Sequence, residues 1–497
     1  MTAAKIVVNN DFSFITEAIP GLHQKLWKAL RKRAKDYFFH PLYRQKKWDG
    51  FIDFYGKTTG RFMTGLLPEV EAALGVWEVP YELDDQRPPM HFRQQTIDEN
   101  FFNCFLPQSG LWPDGSEAKP ITPRDYQIDL TAKAIMLHRG IIQAPTRAGK
   151  SLMMVGLAHC LPPNTPMLFT TKQSSLVLQI YEDLVKWGVP NVGMVGGGKN
   201  KPDVITCCTL DSLHKLERLF PFIRVLIVDE CHKMMTKKAK ACYRACKKAN
   251  VRLAFSATPF KFSERDPDNP KPTEGDQVQK FMLKGFFGPI ILTSTTESGL
   301  LTTKELQERG ILSKSNCTFY KIKEPKLPYA LYADAVNQGM VESHHFHQVV
   351  RSLVKTLKGR TLILVQRVPH GEILSKMIPG SIWVSGKDTL KNRKQVIKML
   401  CESESAVAIA TQQIFNDGIT VKIHNLINAA GGKASHDITQ RLGRGLGTAD
   451  DKDSLEYYDW KFDGVNPYLD DHSDDRIRII GNEGHNVTVK EIDFPVA

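Results

Sequence analysis

The chain has 497 residues, 42% of them hydrophobic and 24% charged. It is too long for one core, and its composition is that of a folded protein, so two to four domains are expected. A formal charge of +12 favours a polyanionic partner. No apolar run approaches the roughly 18 residues of a membrane span, and the first ten residues lack an apolar core or cleavage signal. Nine cysteines, none spaced C-x-x-C, read as free thiols in a reducing, cytoplasmic compartment.

Residues 1–90 read as a small basic α/β unit. Lys5–Val8 is strand-like. Gly21–Tyr37 has helical periodicity, with Leu22, Leu26, Trp27, Leu30 and Ala34 on one stripe. Leu66–Leu74 reads as a helix capped by Gly75, and Val76–Leu83 as a strand. Between Leu22 and Gly65 stand eleven Lys and Arg against three acids. Tyr37, Phe38, Phe39, Tyr43, Trp48, Phe51 and Tyr55 are interleaved with them. This mixture suits phosphate contacts with base stacking or wedging. Lys28, Arg31, Lys32, Arg44, Lys46, Lys47 and Trp48 are its candidate nucleic-acid contacts. Residues 91–120 read as a proline-bearing linker with one short helix near Asp98–Phe105.

From residue 121 strands and helices alternate, which predicts parallel sheets flanked by helices. The first unit, 121–312, has strands near 140–142, 167–170, 204–207, 225–228 and 253–256. Its polar segment Lys261–Gln277 is expected to be an exposed loop. The second unit, 313–497, has strands near 317–322, 362–365, 381–384, 406–410 and 425–428. Helices are expected at Ala335–Leu357, Glu372–Met377 and Leu390–Leu400. The acidic stretch Ala449–Asp475 reads as solvated surface.

Ala144-Pro-Thr-Arg-Ala-Gly-Lys-Ser151 lies between an apolar strand and a helix. Its spacing is that of a phosphate-binding loop, with Ala144 in place of the first glycine. Backbone N–H groups of Thr146, Arg147, Ala148 and Gly149 would face phosphates, and Lys150 would add a point charge. The Ser151 hydroxyl would ligate Mg²⁺. Val225–Val228 is an apolar strand ending in Asp229-Glu-Cys-His232. Asp229 is placed to hold the metal through water, and Glu230 to orient and deprotonate an attacking water. Ser256-Ala-Thr258 follows the next strand. Arg124-Asp-Tyr-Gln127 precedes the loop. A Gln amide can pair with an adenine edge, and a nearby Arg or Tyr can stack on it. In the second unit, Gln440-Arg-Leu-Gly-Arg444 offers Arg444, or Arg441, as the positive charge on a γ-phosphate in the transition state.

In this order the motifs, with Ala410-Thr-Gln-Gln-Ile-Phe-Asn-Asp-Gly418, resemble superfamily-two helicases. Phe39-His-Pro-Leu-Tyr-Arg-Gln-Lys-Lys-Trp-Asp-Gly50 and Val384-Ser-Gly386 extend the likeness to the UvsW-type branch-migration helicases of tailed phages. The resemblance implies two tandem RecA-like domains behind a small α/β DNA-binding domain. It implies ATP and Mg²⁺ as cofactors and branched or forked DNA as partner. The activity it implies is unwinding or branch migration, 3′-to-5′, in phage replication, recombination or repair, in the host cytoplasm. Ser256, Thr258 and Gly418 would couple the two activities, and Thr171, Lys172, Thr209, Gln366 and Thr411 would lie near the DNA track. Two positions depart from the pattern. Gly447 stands where a second finger arginine is usual, and Thr420 replaces a common acid. A duplex translocase or RNA helicase of the same superfamily is the nearest alternative. A non-enzymatic, ATP-gated DNA-binding switch is the alternative from another class.

Overall fold

The computed structural model describes residues 3–93, 96–107, 120–260, 274–328, 331–385, 388–412, 422–432, 442–443 and 454–496. The expected sites Arg441, Arg444 and Gly418, with Gly447 and Thr420, lie outside these residues. By contacts the chain divides into Met1–Ala144 with Gly149–Leu300, and Pro145–Ala148 with Leu301–Ala497.

The first six strands are β1 (Ala4–Val8), β2 (Phe12–Glu17), β3 (Arg31–Arg33), β4 (Phe51–Asp53), β5 (Arg61–Met63) and β6 (Tyr81–Asp85). A four-stranded sheet runs β5-β2-β1-β6, and β3 pairs with β4 alone. Along β1, Ala4, Ile6 and Val8 are buried while Lys5 and Val7 are half-exposed, the period of two that one covered face requires. The expected 21–37 helix is shorter, Leu22–Ala29. The chain then turns into β3 because better partners for Arg31 lie across β4. Its guanidinium meets Asp53 at 3.2 Å and also Asp49, and it sits 4.0 Å over Trp27 and 4.3 Å over Phe51. Gly75 lies inside the helix Leu67–Val76 rather than capping it, and the strand expected from Val76 begins at Tyr81.

This small sheet shares one apolar core with the helix Glu274–Phe287. Ile6, Leu26, Leu66 and Val70 belong to the same buried cluster as Leu283, Phe286 and Phe287 of that helix. A Cβ on Gly65 would collide with the Lys284 and Gly285 carbonyls, so only glycine permits that approach. Lys284 pairs with Glu69 at 2.8 Å, and Asn10 donates to Asn250 at 3.2 Å. Excising residues 1–90 would therefore bare a core. Point substitutions are the sounder probe of that region. In the expected linker, the helix Glu99–Asn103 buries Phe101 and Phe102, and Phe105 stacks on His159 at 4.2 Å. Glu274–Gln277, expected in a loop, begins the next helix.

The first parallel sheet is built from β7 (Arg139–Gln143), β8 (Met167–Thr171), β9 (Val192–Gly196), β10 (Lys199–Lys201), β11 (Ile205–Thr209), β12 (Val225–Asp229) and β13 (Val251–Ser256), in the order β10-β9-β11-β8-β12-β13-β7. Only β10 runs antiparallel to its neighbour. The wholly apolar runs are the strands covered on both faces. β9 and β10 escaped the sequence reading because Gly193 and Gly196 interrupt one and the other is Lys-Asn-Lys.

The second unit holds β14 (Lys314–Ile322), β15 (Thr361–Val365), β16 (Ile382–Val384), β17 (Val407–Thr411), β18 (Asn425–Ala429), β19 (Ser454–Phe462) and β20 (Asn486–Lys490), ordered β16-β17-β15-β18-β19-β14-β20, all parallel. Both sheets are of the RecA-like α/β kind. The expected 335–357 helix is divided: Tyr332–Val336, a wider turn over Asn337–Val341, then His344–Thr356. The acidic stretch is not simply surface. Ser454–Phe462 is a full strand that buries Leu455, Tyr457, Asp459, Trp460 and Phe462.

His370 and His485 are buried in this second unit, His485 with Nδ1 2.6 Å from the Ser315 hydroxyl. Burial lowers His370 to about 3 and His485 to about 4. Each is held neutral when folded but takes a proton below about 6.5 when unfolded. Their stabilising share is therefore complete above pH ~6.5 and is lost as pH falls toward their folded values. At pH 5 the loss is about 2 kcal/mol for each. The unfolding midpoint in urea should drop between pH 7.5 and pH 5, and less so in His370→Gln. Equal midpoints at both pH values would contradict this.

Candidate active site

The parallel register brings the motifs to one edge of the first sheet. Gln143 of β7 lies beside Ser256 of β13, Phe255 beside Asp229 of β12, Val228 beside Thr170 of β8, and Thr171 beside Thr209 of β11. All five strands end together, so the loops leaving them converge at their carboxyl ends.

Ala144 opens the loop, its N–H donating to Ser256 O at 3.0 Å. Arg147 has φ +70° and Gly149 φ +80°. The first is an unusual conformation for an arginine, of the strained kind that accumulates at functional loops. The helix Lys150–Cys160 starts directly afterwards. Gly149 is doubly required: its φ is left-handed, and a Cβ there would run into Gln127 Nε2. Gln127 is buried in the helix Asp125–Leu137, and its Oε1 accepts from Arg124 N at 2.9 Å. Arg124 in turn donates to Tyr126 Oη at 2.9 Å. Gln127 thus braces the phosphate loop from behind. Lys150 Nζ reaches Ala144 O at 3.1 Å, and its ammonium therefore lies over the loop.

The Ser151 hydroxyl bonds to the Asp183 carboxylate, a half-buried acid that burial raises to about 6. The sequence gives Asp183 no distinguishing signal, since it is an ordinary acid in the amphipathic helix Ser174–Lys186.

Asp229 ends β12, and its Oδ1 accepts from Glu230 N at 2.9 Å. Glu230 is 9% exposed and has φ +49°. Its Oε2 has no hydrogen-bond partner among the described residues and lies 3.4 Å from His232 Nδ1. His232 Nδ1 is also 2.8 Å from the Ser256 hydroxyl, which accepts from Thr258 N at 3.1 Å. The sequence placed His232 in a motif without assigning it a role. Here it joins the acid of one motif to the serine of the next. A carboxylate with an uncommitted buried oxygen, a metal-type acid, a serine and a lysine at a phosphate loop make a set that fits a nucleotide with a divalent cation.

The expected DNA contacts fall into three groups. Thr171, Thr209 and Thr411 are buried at strand ends, and the Thr171 and Thr411 hydroxyls lack partners among the described residues. Lys172 and Gln366 are exposed just beyond. In the second sheet the register sets Thr411 of β17 beside Val365 of β15, immediately before Gln366. In the basic segment, Lys28, Arg44, Lys46 and Lys47 are exposed. Arg31 is held by its two acids. Lys32 lies 4.4 Å over the Phe281 ring, with burial lowering its pKa. These two cations are engaged in packing the β3–β4 pair, Lys32 against the helix Glu274–Phe287. Trp48 is half-buried and donates from Nε1 to Phe51 O at 2.7 Å.

Residues 120–261 match the family described as "Type III restriction enzyme, res subunit". The "ATP-dependent DNA helicase uvsW" of Enterobacteria phage T4 is 23% identical over 93% of this chain and 94% of its own length. The chain resembles the UvsW-type helicases of superfamily two. The "DNA 3'-5' translocase XPB2" of Sulfurisphaera tokodaii is 24% identical over 67% of this chain and 80% of its own. Among solved structures, the "ATP-dependent Type ISP restriction-modification enzyme LlaBIII bound to DNA" aligns with 86% of this chain and 34% of its own at a TM-score of 0.53 and 12% identity, a likeness of fold. Among the described residues no helix is long and apolar enough to cross a membrane.

Proposed function

We propose that this chain is an ATP-dependent DNA helicase that moves 3′-to-5′ along DNA and remodels branched substrates such as forks and four-way junctions. The observation that carries the reading is the line of contacts from Glu230, 3.4 Å from His232, through the His232–Ser256 hydrogen bond to Thr258, beside the loop of Lys150 and Ser151. It links the hydrolytic acid to the Ser-Ala-Thr motif by direct contacts. The similarity to a phage helicase and an archaeal translocase supports the DNA substrate and the direction.

Backbone N–H groups of 146–149 and the start of the helix Lys150–Cys160 would hold the triphosphate. Mg²⁺ would sit at Ser151 and, through water, Asp229, neutralising phosphate charge. Glu230 would orient water in line with the γ-phosphate and accept its proton at Oε2. Arg124 and Gln127 would border the base. Arg444, or Arg441 with it, would supply the finger. Thr171, Lys172, Thr209, Gln366 and Thr411 would follow the DNA backbone. Gly418 would join Ser256 and Thr258 in coupling.

The test is phosphate release by the full-length protein with single-stranded, duplex, forked and four-way DNA, and with single-stranded RNA. Branched DNA should stimulate most. Stimulation by RNA above every DNA would overturn the substrate assignment, and no stimulation by any polymer would overturn the motor.

A further inference from the structure

The segment between β3 and β4 projects from that two-stranded pair, closed at its base by Ala34 N donating to Gly50 O at 2.8 Å. Its tip carries an unusual surface. Phe38 is 50% exposed, Phe39 62% and Leu42 45%. Isolated exposed apolar residues are ordinary; three within five positions are not. Between Tyr37 and Trp48 the charges are Arg44, Lys46 and Lys47, with no acid.

The tip is packed from beneath. Tyr37 meets Tyr43 edge-on at 4.7 Å, and Arg33 donates to Tyr37 Oη at 2.8 Å. Gly50, at φ +85°, lets Tyr37 lie flat on the backbone where a Cβ would clash. Trp48 is pinned through its indole N–H and packs edge-on to His40 at 5.1 Å. Arg44 donates to Phe38 O at 3.2 Å. Phe38 and Phe39 lie 4.3 Å apart, tilted by 46°. A groove of about 680 Å³ lies beside them, lined by Phe38, Tyr43, Arg44, Lys46, Lys47 and Trp48, with Asp49 at its end. Asp49 is already neutralised by Arg31.

Packing within the protein leaves both rings about half exposed, Phe38 edge-on to Tyr37 at 5.6 Å and Phe39 with the Arg44 guanidinium 5.8 Å from its ring centre. An apolar partner protein would be poorly served by three cations at the rim. A nucleic acid offers flat bases to the rings and phosphates to the cations. We propose that Phe38 and Phe39 form a wedge that stacks on the base exposed at a DNA branch point, while Arg44, Lys46 and Lys47 hold the adjoining phosphates. The wedge deepens the DNA-remodelling reading above and rests on it. It gives the protein a means of recognising a branch by its unstacked bases, independently of sequence, because every base has a face.

The experiment compares full-length wild type, Phe38→Leu/Phe39→Leu and Phe38→Tyr/Phe39→Tyr. Four-way and uniform duplex DNA are the substrates, with 2-aminopurine at the branch. The leucine pair keeps apolarity but loses the rings. It should bind four-way DNA about tenfold or more weakly, by the usual worth of a base–aromatic stack, and it should lose the 2-aminopurine signal. Its binding to uniform duplex should be unchanged, and the tyrosine pair should match wild type. Equal four-way binding and equal signal in wild type and the leucine pair would overturn the wedge, even if DNA still drives ATP hydrolysis. Retained apolar function in the leucine pair would assign the patch to a protein partner. Failure of all DNA to stimulate the wild type would instead overturn the parent reading. Both residues are exposed, so the variants retain the fold, and a thermal melt superimposable on wild type checks this.

Discussion

Glu230→Gln should reduce DNA-stimulated phosphate release by about 10²- to 10⁴-fold, the usual contribution of a positioned general base. The replacement is isosteric. Its backbone keeps the N–H donated to Asp229, and the left-handed conformation at φ +49° is no harder for Gln than for Glu. What changes is Oε2, the buried oxygen with no hydrogen-bond partner among the described residues, 3.4 Å from His232. An amide there accepts no proton from water. ATP binding should persist, because Lys150 and Ser151 are untouched. Measured together, nucleotide affinity should hold while turnover collapses. Unchanged turnover would remove Glu230 from the chemistry and with it the hydrolytic reading.

The second large effect is on stability. Asp459→Ala should destabilise the protein by about 3–5 kcal/mol, the cost of leaving one partner of a buried ion pair alone. Asp459 is 0% exposed and receives Arg476 Nη2 at 3.0 Å and Nε at 3.0 Å. Asn428 Nδ2 and Tyr457 Oη each donate to its Oδ2 at 2.7 Å. Arg476 itself is 1% exposed and also grips the carbonyls of Trp460, His472 and Gly432. Without the carboxylate, the arginine charge stays buried with only neutral partners. Urea unfolding should show the midpoint shift, with a smaller one for Asp459→Asn, which retains part of the hydrogen bonding. A shift under about 1 kcal/mol, the scale of an exposed pair, would contradict the buried network.

Much of this was legible in the linear order of residues. Apolar runs named ten parallel strands, most of them because strands covered on both faces carry a continuous hydrophobic signal. The strands that were missed lack it. β19 hides five buried side chains in a run that also carries Glu456 and Lys461, and the acidity of the stretch disguised a core position at Asp459. The early end of the first helix was equally hidden. Arg31 continues a helical pattern locally, and only Asp49 and Asp53, some twenty residues on, draw it into a strand.

The sequence by itself determined the motif residues and their order: a loop with Lys150 and Ser151, acids at Asp229 and Glu230, and a basic aromatic segment upstream. These signals are local, because spacing along a strand-to-helix turn sets where backbone N–H groups and side chains point. Only the tertiary structure decided which residues act as a unit. Strand register put Asp229, Ser256 and Gln143 at one edge, and through-space contacts joined His232 to Ser256 and Gln127 to Gly149. It also sorted the basic segment, sending Arg31 and Lys32 into packing and leaving Phe38 and Phe39 exposed. Charge and aromaticity are properties of the sequence, but exposure depends on what packs against each residue, and those partners lie far away in the chain.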